Sequence, residues 1–197
     1  MSAAPRKLLP RAERRRGILA AASRAFARAG FAATSMDDVA SEAGITKMIV
    51  YQHFTSKEAL YEAVLEETNA RLAEALGSDP WQPASLGVLL RVAREAPDAF
   101  LLLFRHAARE PRFAHYAERN TSQGFAVTEQ GLDGRIPDPV LRHWTARLVM
   151  HHAIEGVIAW LETGDPTRDA EAVERLLAGS FALVAALADP LAAQRQA

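Results

Sequence analysis

The chain has 197 residues, 49% hydrophobic and 24% charged, an ordinary globular balance that suits one large helical domain or a small domain joined to a larger one. It contains no cysteine, which excludes a disulfide scaffold and a Cys-ligated metal, and neither a bilayer-spanning apolar run nor a secretion signal can be read in it. The net charge of −1 hides an asymmetry: residues 1–60 carry +5 and the rest −6, as a polyanion-binding head on an acidic body would, or as an unevenly charged, solvated surface would.

Almost every segment reads as helix, because Ala, Leu, Arg and Glu dominate and period-two runs of β-branched residues are absent. Residues 1–10 form a flexible basic arm. A first helix is expected from Arg11 to Ala29, with Ile18, Ala22, Ala25, Phe26 and Ala29 as its apolar stripe and Gly30 as its stop. Thr34 or Ser35 caps a second helix that carries Asp37 and Asp38 in its first turn, where the helix dipole favours anions. Gly44 ends it. Thr46 caps a third, short helix, because Thr55 with Glu58 three positions later reads as the capping box of a fourth. That fourth helix continues to Leu76 and connects head to body.

Residues 77–83, GSDPWQP, are the clearest break in the chain. Beyond it, Leu86, Leu89, Leu90 and Val92 begin a larger helical region. Pro97 starts another helix, which Pro111 ends, and residues 112–132 are weakly helical around Gly124. A loop at 133–139 precedes two strong helices, 140–163 and 169–188. The second bears an apolar stripe at Val173, Leu176, Leu177, Phe181, Val184 and Leu187. Residues 191–197 are a tail. The expected organisation is arm 1–10, head 11–55, connecting helix 56–76 and body 77–190.

Residues 34–57, TSMDDVASEAGITKMIVYQHFTSK, carry the most specific pattern. Two short helices joined by a tight Gly turn, with a small core of Ala40, Ile45, Val50 and Phe54, meet the requirements of a helix-turn-helix. Lys47, Met48, Tyr51 and Gln52 then point outward on the second helix. Thr46 at its N-terminus suits phosphate, Lys47 suits phosphate or guanine, and Gln52 suits the edge of adenine. Tyr51 and His53 can donate to phosphate. Lys57 lies in the first turn of a helix, against its dipole. A phosphate bound there removes the conflict; the competing reading is a surface lysine whose stem lies along apolar surface. Thr34 and Ser35 complete the expected DNA contacts.

The stretch AGITKMIVYQHFTSKEALYEAV, with AFARAGFAATSMDDVASEAG before it, resembles the TetR family of transcriptional regulators over roughly residues 14–66. The resemblance implies an all-α protein: an N-terminal three-helix DNA-binding domain and a larger C-terminal ligand-binding and dimerisation domain. It implies a homodimer on palindromic double-stranded DNA, most often a repressor released by a small molecule, cytoplasmic and not an enzyme. Thr46, Lys47, Tyr51, His53 and Lys57 match the family's backbone-holding positions. Met48, Ile49 and Gln52 match its variable, base-reading ones. Met48 and Ile49 are bulkier than the residues common there, and suit thymine methyl groups or packing. The arm RKLLPRAERRR suits a minor groove, or is a solvated tail. The last two helices are expected to pair with a partner's through Trp160, Val173, Leu177, Phe181 and Val184.

In the body, aromatic residues alternate with polar ones, as a small-molecule site requires and as a plain core also allows. Phe100, Phe104, Tyr116, Trp144 and His151 are the expected lining for a partly apolar effector, with no cofactor. A helical bundle holding a small molecule or a metal, without a DNA role, is the alternative. His151, His152 and Glu155 fall within about one helical turn, but adjacent histidines face different ways. No Gly-rich phosphate loop or nucleophile elbow supports an enzyme.

Overall fold

A computed structural model of the chain describes residues 10–77, 82 and 84–188, apart from the side chain of Asn120. The expected arm, tail and most of the break at 77–83 lie outside the described residues. Among those described there is no strand, and no helix is long and apolar enough to cross a membrane. The chain divides into two compact units, Met1–Glu67 and Thr68–Ala197.

The first unit holds α1 (Arg11–Ala33), α2 (Met36–Glu42), α3 (Lys47–His53) and the start of α4 (Lys57–Leu76). Gly30, at φ 79°, interrupts α1 where the sequence places a stop, a conformation that only glycine adopts without strain. Thr34 then turns inward. Its hydroxyl, 2% exposed, donates to Gly30 O at 2.7 Å and Ala25 O at 3.3 Å. Ser35 is therefore the cap of α2. Its Oγ accepts from Asp38 N, and the Asp38 carboxylate accepts from the Ser35 hydroxyl at 2.7 Å and from Ser35 N at 2.8 Å, which together hold Asp38 below the usual carboxylate range. At α4 the cap is Ser56, whose Oγ accepts from Ala59 N at 3.1 Å, and not Thr55 as expected. Ile18, Phe26, Val39, Val50, Leu60, Tyr61 and Leu65 are at most 1% exposed and form the core. Tyr61 meets Phe26 and Phe31 edge-on at 4.9 and 5.0 Å. Each large apolar side chain so buried contributes about 1.5–3 kcal/mol.

The second unit continues from α4 with α5 (Ser85–Glu95) and α6 (Pro97–Leu101). A π-helical segment Leu102–His106 and a 3-10 turn Ala107–Arg109 follow, then α7 (Ala114–Gly131), α8 (Pro139–Thr163) and α9 (Asp169–Ala188). Pro97 begins α6 as expected, and Asp138 caps α8 by accepting from Val140 N and Leu141 N. Leu90, Ala93, Phe100, Leu102, Leu103, Val157 and Ile158 fill the core. Leu132, Ile136, Ala146 and Val184 form a smaller cluster. α8 and α9 meet across Gly156: a Cβ there would lie 2.3 Å from Leu176 Cδ2. Asp169, at the start of α9, accepts from Arg94 Nη2 at 2.9 Å and Trp160 Nε1 at 2.7 Å. That junction ties α5, α8 and α9 together.

Candidate nucleic-acid interface

α3 has seven residues, too few to be stable alone. It is held from behind by Val50, at 0% exposure, and by Phe54 just past its end. Gly44, at φ 65°, makes the turn into it, and Ile45 N donates to Ala40 O at 3.0 Å across that turn. With one face buried, the other is free. Met48 is 72% exposed and Tyr51 46%, and Thr46, Lys47 and Gln52 are exposed beside them. Ile49 and His53 are half-buried flanks.

The cations around this face fall into two groups. Arg24 and Arg28 both grip Glu42, at 2.7 and 3.1 Å, tying α1 to α2. Lys47 pairs with Asp37 at 2.5 Å, which raises the Lys47 amine above its ordinary range. Arg11, Arg14, Arg15 and Arg16 at the start of α1 make no ion pair among the described residues. Arg15 lies over the Phe54 ring at 5.2 Å. Burial first, and then the guanidiniums of Arg11, Arg14 and Arg15, hold His53 below the ordinary histidine range. A positive ridge thus borders the C-terminal end of α3. The sequence signal for it was the +5 balance of the first 60 residues, which does not say where the charges converge.

Two expected contacts need revision. Thr34 is buried, with its hydroxyl bonded to carbonyls of α1, so it presents nothing to DNA. The Ser35 side chain is exposed but engaged in its cap. Lys57 has a partner the sequence could not indicate. Its Nζ donates to Phe31 O at 2.8 Å and Ala32 O at 3.2 Å, and lies 4.5 Å from the Phe31 ring centroid. The carbonyl end of α1 therefore offsets the unfavourable dipole of α4 without any phosphate. Two of the three ammonium protons are engaged in this way, leaving one for another acceptor.

The expected body pocket of Phe100, Phe104, Tyr116, Trp144 and His151 does not assemble. Phe100 is 0% exposed and stacks on Phe104 at 4.7 Å as core. Trp144 is 49% exposed at the surface, and Tyr116 stands against His115 and Arg119. Phe104 and His151 do share a cavity of about 410 Å³ with Phe125, Arg147 and Glu155. A second cavity, of about 330 Å³, lies among α5, α7, α8 and α9 and is walled by Leu86, Leu89, Val127, Met150, Leu177 and Phe181. None of the expected pocket residues lines it. His151 Nδ1 bonds Arg147 O, His152 Nε2 lies 3.3 Å from Leu176 O, and Glu155 pairs with Arg105, so these three side chains diverge. Of the expected interface residues, Phe181 is 57% exposed, while Val173 and Leu177 are half-buried. Trp160 is bonded to Asp169 of its own chain. Val184 is 7% exposed and packs within its own chain's core cluster.

Comparison with known proteins decides the family of the head. Residues 18–64 match the family model described as bacterial regulatory proteins, tetR family. The chain is 29% identical over 169 residues to the HTH-type transcriptional repressor Rv1474c of Mycobacterium tuberculosis, covering 80% of this chain and 87% of that one. Residues 18–64 are a TetR-type DNA-binding head. The TetR head is also 52% identical over 58 residues to the HTH-type transcriptional activator FasR of Mycolicibacterium smegmatis, a match covering 29% of this chain and only 26% of FasR. Over the full fold, a TetR-like regulator from Rhodococcus sp. RHA1 superposes with a TM-score of 0.73 at 23% identity, covering 94% of this chain and 99% of that one. The head therefore carries the DNA-binding module of these regulators, and the chain is similar to a transcriptional repressor over most of its length.

Proposed function

We propose that the chain is a ligand-responsive transcriptional repressor that binds a palindromic operator as a homodimer in the cytoplasm. The observation that carries this is the face of α3: a helix pinned by Val50 that leaves Met48 and Tyr51 exposed between Lys47 and Gln52, bordered by the arginines of α1. Repression is favoured over activation because the repressor Rv1474c matches most of the chain, whereas the match to an activator is confined to the head.

In this reading Lys47, Thr46, Tyr51, His53 and the remaining N–H of Lys57 hold phosphates, with Arg11 and Arg14 added to them. Met48, Ile49 and Gln52 face base edges. Phosphate contacts fix register, and base contacts give sequence preference. Dimerisation through α8 and α9 is supported by exposed Phe181 and by exposed Ala178, Ala182 and Ala185 beside it on α9, a small-residue surface on which a second helix can lie. A ligand that prefers a body shape with misplaced heads then shifts the population off DNA by differential affinity alone.

The test is the salt dependence of DNA binding. Each phosphate contact adds about 0.9 to the slope of log K against log salt on duplex DNA. Removing Arg11 and Arg14 together should flatten that slope by roughly two and weaken binding on every sequence. An unchanged slope would remove them from the interface.

A further inference from the structure

We infer that the 330 Å³ cavity of the second unit takes an uncharged, largely hydrocarbon molecule with a single hydroxyl or carbonyl group. This rests on reading the chain as a ligand-responsive regulator and adds the chemical class of the effector. Among the described residues, the cavity wall contains no ionisable side chain. Its polar members are Gln82, Ser85, Thr128 and Ser180, all neutral. A carboxylate or phosphate entering it would lose its hydration and gain no cation, a penalty that a neutral group does not face.

The hydroxyls differ in what they can offer. Ser180 Oγ donates to Leu176 O at 3.0 Å, and Ser85 Oγ accepts from Gln82 N at 3.1 Å. Thr128 is half-buried on α7, and its hydroxyl makes no hydrogen bond among the described residues, so it is the group left for a ligand. A single hydroxyl or carbonyl on a ligand can pair with it, for the modest net gain of one neutral hydrogen bond. Volume sets the size. At roughly 30 Å³ for each water-sized group in a liquid, the cavity holds on the order of ten non-hydrogen atoms. The neighbouring 410 Å³ cavity, with Arg147, His151, Glu118 and Glu155 in its wall, has the opposite chemistry and is the place a charged molecule would choose.

The test compares decanol with decanoate, equal in chain length and different in charge, by calorimetric titration of the full chain at pH 8. Decanol should bind with one-to-one stoichiometry, and decanoate at least tenfold more weakly. Ala153→Phe, which fills the cavity from α8, should abolish decanol binding. Thr128→Val keeps the side-chain shape, guards against misfolding of the larger variant, and should weaken decanol roughly three- to tenfold, the effect of one neutral hydrogen bond. Decanoate binding within threefold of decanol, no decanol binding, or decanol binding that both variants leave intact would each overturn the inference. DNA binding by the same preparation separates the two failures. A protein that binds DNA but not decanol loses the ligand class and keeps the regulator reading. One that binds decanol in the cavity but no DNA loses the regulator reading, while the cavity's chemistry stands.

Discussion

Lys57 begins α4 and also closes the end of α1, through the carbonyls of Phe31 and Ala32. Removing its ammonium leaves those oxygens to water and removes a cation over the Phe31 ring. Lys57→Met should therefore lower stability by about 1–2 kcal/mol, within the range for charge-assisted hydrogen bonds at a partly exposed site, and weaken DNA binding on all sequences. A stable variant with wild-type affinity would leave Lys57 with neither role. Thr34→Val separates the same two roles the other way. It removes a buried hydroxyl donor from Ala25 O and Gly30 O, so the melt should shift by about 1–2 kcal/mol while DNA affinity of the folded protein holds. His53 gives a pH signature. Its folded-state pKa lies below the ordinary value of about 6.5, so the folded chain binds fewer protons than the unfolded one, and stability falls as pH drops through that region. A bound phosphate would raise the pKa again, so DNA binding takes up protons and should tighten between pH 7.5 and pH 6. Anisotropy titrations of His53→Gln should show a weaker pH dependence than the wild type.

At the scale of elements, Gly30, Gly44 and Pro97 act within a few residues of where they stand, and each marks an observed boundary that the sequence predicts. What was not legible depends on partners distant in sequence. Lys57 meets carbonyls more than twenty positions away, Thr34 folds back on α1, and Phe100 is taken by core packing that leaves nothing for a ligand. The apolar cavity was missed because its wall is built of Leu, Val and Met, which read as core in any sequence. Gly44 and Gly156 test the element geometry by different physics. Gly44→Ala places a side chain at φ 65° and should cost about 1–2 kcal/mol, seen as a lower melt with loss of DNA binding. Gly156→Val drives branched methyls into Leu176 at the crossing of α8 and α9 and should cost about 1–3 kcal/mol, with the head's own hydrogen-exchange protection unchanged.

On the scale of the whole molecule, the proposed regulator pairs two copies through the exposed stripe of α9. Phe181→Glu should give monomers in sedimentation. Ala182→Glu, next to it and outside the cavity wall, should do the same. A dimer that survives both would move the interface elsewhere. Half-site spacing of about 34–36 Å, one turn of DNA, is what two α3 helices need to enter successive major grooves. The measurement that bears most directly on the central claim is selection of bound duplex from a random DNA pool by the purified protein. The account predicts a two-fold symmetric consensus whose half-sites are about one helical turn apart, and in which Gln52→Ala relaxes one position per half-site. A pool that does not enrich, or a consensus without two-fold symmetry, would contradict it.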